Sequence, residues 1–140
     1  MQYQLNIVMV LEQYNEALAH RFHTDIFQMG KLEAADEILD PDFVWRNPII
    51  PSELQRGPES VKKIASAIID AMPDRQITHD DTMVKGDKVM VRWTMTGTAQ
   101  KDLFGIPPGD TTIIGFDLFR ISGGGKIVEM WQQFSAGKWP

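Results

Sequence analysis

The chain has 140 residues, 43% hydrophobic and 24% charged, the make-up of one globular domain over residues 1–140 and not of a disordered chain. With 14 Lys and Arg against 19 Asp and Glu the net charge is −5, and no basic run occurs, so neither nucleic acid nor an anionic membrane surface is an expected partner. Cys is absent, which excludes disulfides and thiolate metal sites and fits a cytoplasmic location.

Met1 to Leu11 mixes polar and apolar residues, so neither a signal peptide nor a membrane span is expected there. From Leu5 to Met29 apolar residues recur at helical spacing: Leu5, Val8, Met9, Leu11, Leu18, Ala19, Phe22, Ile26 and Met29. That periodicity predicts an amphipathic helix, ended by Gly30. Lys31–Leu39 reads as a second, short helix with Leu32, Ala35, Ile38 and Leu39 inward, stopped by Pro41. Phe43–Asn47, between Pro41 and Pro48, reads as a short strand, and Ile49–Arg56 as a loop. Pro58 then suits the first turn of a third helix, whose apolar face is Val61, Ile64, Ala65, Ile68 and Met72.

After Pro73 the period changes to two. Strands are expected at Gln76–Lys85, Asp87–Gln100, Thr111–Ser122 and Lys126–Ser135. Gly86-Asp87 and Gly123-Gly124-Gly125 are turn sequences, and turns this short join antiparallel strands. The expected class is therefore α+β, three N-terminal helices followed by an antiparallel sheet. Ile113, Ile114, Phe116, Leu118, Phe119 and Ile121 are apolar on both faces of their strand. Helices can cover one face, and a second copy of the chain is the expected cover of the other, giving a homodimer.

The order and spacing of several segments resembles the SnoaL-like polyketide cyclase family of the NTF2-like superfamily. They are Arg21-Phe22 with Asp25-Ile26-Phe27, Gly30-Lys31-Leu32, Pro41-Asp42-Phe43-Val44, Asn47-Pro48, Gly57-Pro58-Glu59-Ser60-Val61, Met72-Pro73-Asp74, Phe104-Gly105-Ile106-Pro107-Pro108, Asp117-Leu118-Phe119-Arg120-Ile121 and Gly125-Lys126-Ile127-Val128-Glu129 with Trp131. The likeness runs from about Asn15 to Trp131. It implies a cone-shaped, usually dimeric fold, three N-terminal helices packed into a curved antiparallel sheet, holding a small apolar ligand; some members close rings by intramolecular aldol chemistry without a cofactor, and others isomerise, hydrolyse epoxides or only bind.

Such chemistry needs a base beside a carbonyl and a dipole or acid for the enolate oxygen. The resemblance puts an acid/base Asp on the last strand after the Glu-x-Trp segment, where this chain has Gln132, an amide that can hold an oxygen but cannot transfer a proton. Asp117, alone among apolar neighbours, is the remaining base candidate. The alternative is an ion pair with Arg92 or Arg120. His23 is a candidate acid, and His79 and His20 rank behind it. Trp45, Asn47, Trp93, Phe104, Phe119, Met130 and Gln132 are the candidate ligand-binding set, with Asp102–Asp110 as the pocket rim or part of the dimer contact. His20 and His23 are three residues apart with no third ligand in view, so no metal is expected. The expected activity is cofactor-independent acid/base catalysis, as a cyclase or isomerase, on a small apolar carbonyl compound. The alternative is a protein of the same fold that binds such a compound without turning it over.

Overall fold

A computed structural model describes residues 2–140, with side chains from Asn6 onward. In chain order it contains α1 (Gln2–Arg21), a π-helical segment (Phe22–Gln28), α2 (Ala34–Ile38), β1 (Leu39–Arg46), a short 3-10 turn (Ser52–Leu54), α3 (Gly57–Ala71), β2 (Gln76–Lys85), β3 (Lys88–Ala99), β4 (Gly109–Ile121) and β5 (Ile127–Ala136). Pro58 lies in the first turn of α3, as its missing N–H and fixed φ dictate.

The five strands form one sheet in the order β1-β5-β4-β3-β2. β2 to β5 pair antiparallel through the Gly-containing turns. The sheet is nonetheless mixed, because β1 runs parallel to its neighbour β5. A parallel partner must be reached by a long connection, and here the whole of α3 and three strands intervene between β1 and β5. β1 is also longer than the Phe43–Asn47 expectation, because Leu39, expected in a helix, already pairs with Ile127.

One face of the sheet carries the core. Val89, Val91, Trp93 and Met95 of β3, Ile113, Asp117 and Phe119 of β4 and Met130 and Gln132 of β5 are buried on it, while Phe116 and Trp131 point the other way and are exposed. The buried face of α3 is Val61, Ile64, Ala65 and Ile68, as its helical period requires.

The first helix departs from its expected stripe. Packing starts at Leu18, and Val8, Met9 and Leu11 are exposed, as is Met29; the side chain of Leu5 lies outside the described residues. Beyond Arg21 the helix also changes hydrogen-bond spacing: the Met29 N–H donates to Thr24 O, five residues back, and the extra residue per turn shifts the phase of everything after Phe22. The end of this π segment is held from outside. The buried guanidinium of Arg75 donates to the carbonyls of Phe27, Gln28 and Met72, and Gln28 in turn bonds the backbone of Arg75 and Ile77. Those bonds satisfy carbonyls that a helix end otherwise leaves open.

Candidate functional site

Between the π segment, α3 and the inner sheet face lies a cavity of about 50 Å³. Its wall is apolar except for His23 and Gln132, and includes Trp45, Ile68, Trp93 and Phe104. A space of that size holds one or two waters, whereas a benzene-sized ligand occupies a cavity of roughly 150 Å³. A ring therefore enters only if the wall yields. Phe104 is the exposed residue of that wall, at 41%, and is the one non-glycine with positive φ (53°) among the described residues, beside Gly105 at 84°. Its ring lies against that of Phe134, at 5.8 Å between centroids.

Asp117 lies beneath this wall, 0% exposed. Neither Arg92 nor Arg120 reaches it: Arg92 faces Asp80 and Arg120 pairs with Glu129, both on the far side of the sheet from the cavity. Its partners are Trp93, Gln132 and His23. Oδ1 accepts from Trp93 Nε1 and from Gln132 Nε2, each at 2.9 Å, and Oδ2 faces His23 Nε2 at 2.6 Å. As a carboxylate it can only accept, so His23 carries its proton on Nε2. With both oxygens filled and no exposed surface, Asp117 does not itself face the cavity; His23 stands between the two.

The local sequence explains the arrangement. Asp117 pairs across the sheet with Gln132, and Trp93 with Gly115. Gly115 is required there: a Cβ would fall on the Trp93 indole, with Cε2 at 2.7 Å. The missing side chain lets the indole lie flat enough for Nε1 to reach Asp117.

Gln132 is the node of the polar network. Its Oε1 accepts from Trp45 Nε1 at 3.0 Å and from Asn47 Nδ2 at 2.7 Å, and its Nε2 donates to Asp117. These bonds set the amide orientation and leave one N–H of Gln132 without a partner among the described residues. Asn47 also closes the turn after β1 by accepting from the Ile49 N–H.

His79 enters the site although its sequence position ranked it low. Its Nε2 lies 2.9 Å from His23 Nδ1, and its ring stacks on His20 at 4.2 Å. A shift of register between His79 and Asp81 keeps His79 opposite Trp93, on the inner face. Burial, then the neighbouring rings of His23 and His20, push its pKa down to about 4, so it is neutral near pH 7. His20, its ring bonded to Thr82, is lowered too, chiefly by burial.

Of the candidate residues, Trp45, Trp93, Phe104, Gln132 and His23 line the cavity together. Asn47 stands behind Gln132. Phe119 and Met130 are fully buried in the core and outside the cavity wall; Phe119 packs its ring on Phe22 and His23. No cluster of His, Asp and Glu with the geometry of a metal site occurs among the described residues, and no helix there is long and apolar enough to cross a membrane.

Residues 17–136 match the model of a family described as SnoaL-like polyketide cyclase. No curated protein matches the chain. Among solved structures, TsrD from Streptomyces laurentii superposes with a TM-score of 0.75 at 25% identity, over 88% of this chain and 89% of that one. A proposed polyketide cyclase from Acidithiobacillus ferrooxidans gives 0.71 at 19% identity, over 87% and 88%. A SnoaL-like polyketide cyclase from Agrobacterium tumefaciens gives 0.67 at 11% identity, over 81% and 85%. At such low identities the last two similarities concern the fold, which is the α+β arrangement expected from the order of elements.

Proposed function

This chain belongs to the SnoaL-like polyketide cyclase family, and from that premise we propose that it is a cofactor-independent acid/base enzyme acting on a small apolar carbonyl compound. One observation carries the proposal: His23, the titratable side chain of the cavity wall, is bonded at 2.6 Å to a fully buried carboxylate. That carboxylate holds the Nε2 tautomer and stabilises the imidazolium formed when Nδ1 takes a proton, which is what an orienting acid does for a general base. The substrate's acidic C–H reaches Nδ1 by displacing the half-buried ring of His79, which returns to Nδ1 when the substrate leaves. The free N–H of Gln132 then holds the carbonyl oxygen as charge builds on it. The base is thus His23 and not Asp117, and Gln132 fills the place of the absent last-strand Asp as a hydrogen-bond donor.

The test is α-proton exchange. Small apolar 1,3-diketones incubated in D2O report enolisation by mass, with no need to know the final product. His23→Gln is expected to slow exchange about 100-fold or more, the usual worth of a general base, and Asp117→Asn to slow it comparably. Bound diketone that exchanges no faster than in buffer would favour the non-catalytic reading. That second reading draws on the same network: both nitrogens of His23 and both oxygens of Asp117 are already bonded inside the protein.

A further inference from the structure

The buried Asp117–His23 pair has an outlet that the proposed reaction does not use. His23 presents Nε2 to Asp117 and Nδ1 to His79 Nε2, at 2.6 and 2.9 Å. The chain of contacts continues through the His79 ring. His79 Nδ1 has no hydrogen-bond partner among the described residues, yet the one buried side-chain N or O atom left unpaired there is Trp139 Nε1. An unpaired atom that is not buried is in contact with solvent, so His79 Nδ1 meets water.

We propose that His79 is the proton exit of the site, joining the buried Asp117–His23 pair to bulk solvent through the two nitrogens of its ring. The inference rests on the acid/base reading above and extends it to the residue whose Nε2 meets the reacting nitrogen of His23 when no substrate is there. Imidazole suits the role because one nitrogen can accept a proton while the other releases one. With His23 neutral, His79 Nε2–H donates to His23 Nδ1. With His23 protonated, His79 meets it as the Nδ1–H tautomer, set by exchange with water, and its Nε2 accepts from His23 Nδ1–H; that proton crosses to Nε2 as the Nδ1 proton leaves to water. One proton enters at His23 and one leaves at His79, so charge and atoms balance without a co-reactant. The weak basicity of His79 serves the same end, since the ring passes the proton on instead of keeping it.

His20 is a positioning residue in this device. Its ring lies at 16° to that of His79 and is anchored through Nε2 to Thr82 Oγ1 at 2.9 Å, which fixes the plane in which His79 meets His23. Apart from the largely apolar cavity, no other route leads out of the pair: Asp117 has no exposed surface and His23 is 5% exposed, with Phe22 and Phe119 rings against it.

The experiment follows the rate at which His23 gains and loses its Nδ1 proton, by 15N relaxation dispersion at a pH where both forms are populated, in the 140-residue chain with no substrate. His79→Gln keeps a donor for His23 Nδ1 but cannot relay a proton. It is expected to slow exchange at least tenfold, whereas exchange at the wild-type rate overturns the proposal. In His79→Ala, millimolar imidazole is expected to occupy the vacated place and restore exchange. Failure of imidazole to speed it also overturns the relay, because a merely structural His79 is not replaced by a soluble base. Diketone turnover that survives His23→Gln would instead refute the acid/base reading and leave the exchange result standing, so the two failures are distinguishable.

Discussion

Replacing Gln132 by Leu, close in size and unable to hydrogen bond, tests the network at its node. Three buried groups lose a partner: Trp45 Nε1 and Asn47 Nδ2 lose their acceptor, and Asp117 Oδ1 loses one of its two donors. A buried donor or acceptor left unpaired costs about 1–3 kcal/mol, and more for a charged group. Because the three share one partner their costs overlap, and the expected loss is about 3–5 kcal/mol, against a total stability of roughly 5–15 kcal/mol for a domain. Urea denaturation at pH 7 reads this as a lower midpoint at unchanged slope. Trp45→Phe made in the Gln132→Leu background removes an orphaned N–H, and so is expected to cost about 1 kcal/mol less than in the wild type. A Gln132→Leu protein within about 1 kcal/mol of wild type, with Trp45→Phe costing the same in both backgrounds, would refute the claim that these bonds hold the site together.

Four further outcomes follow from the same geometry. His79 has a folded pKa of about 4 against an ordinary 6.5, so the unfolded chain binds more protons between those values and stability falls as pH is lowered from 6.5 to 4; after allowance for solvent around a half-buried ring, denaturation of His79→Gln over that range is expected to show a loss smaller by about 1–2 kcal/mol. Gly115→Ala drives a Cβ into the Trp93 ring and is expected to cost about 1–3 kcal/mol, with a shift in tryptophan fluorescence as the indole leaves Asp117. Ile68→Phe adds a ring to the cavity wall and should abolish binding of apolar carbonyl compounds, measured by calorimetry, while the circular dichroism spectrum is kept. On the outer sheet face Phe116 and Trp131 are 45% and 38% exposed beside Met90 and Leu118, and we expect a second copy to cover them; light scattering should then show a dimer for the wild type and a monomer for Phe116→Asp.

Much of this protein was legible in its residues because the signals concerned are local. Alternation and Gly turns located β2 to β5 to within two residues, and Pro58 with the face of Val61, Ile64, Ala65 and Ile68 located α3. The isolation of Asp117 among apolar neighbours marked it as buried, since a lone carboxylate in such a strand must find partners. Which partners was a matter of tertiary structure: the arginines adjacent in sequence or pairing lie on the opposite face, and the donors come from three distant elements. Trp93 reaches Asp117 only because Gly115 is cut away beside it, a fit visible once the strand register is known. The parallel seating of β1 on β5, the π spacing after Arg21 and the register shift that keeps His79 on the inner face leave no periodic trace in the chain, because each depends on contacts between segments far apart in sequence. The residues therefore specified a helical layer, a sheet and a buried acid, while the alignment of His23 and His79 on that acid was decided by packing, where hydrogen-bond geometry is set to tenths of an ångström.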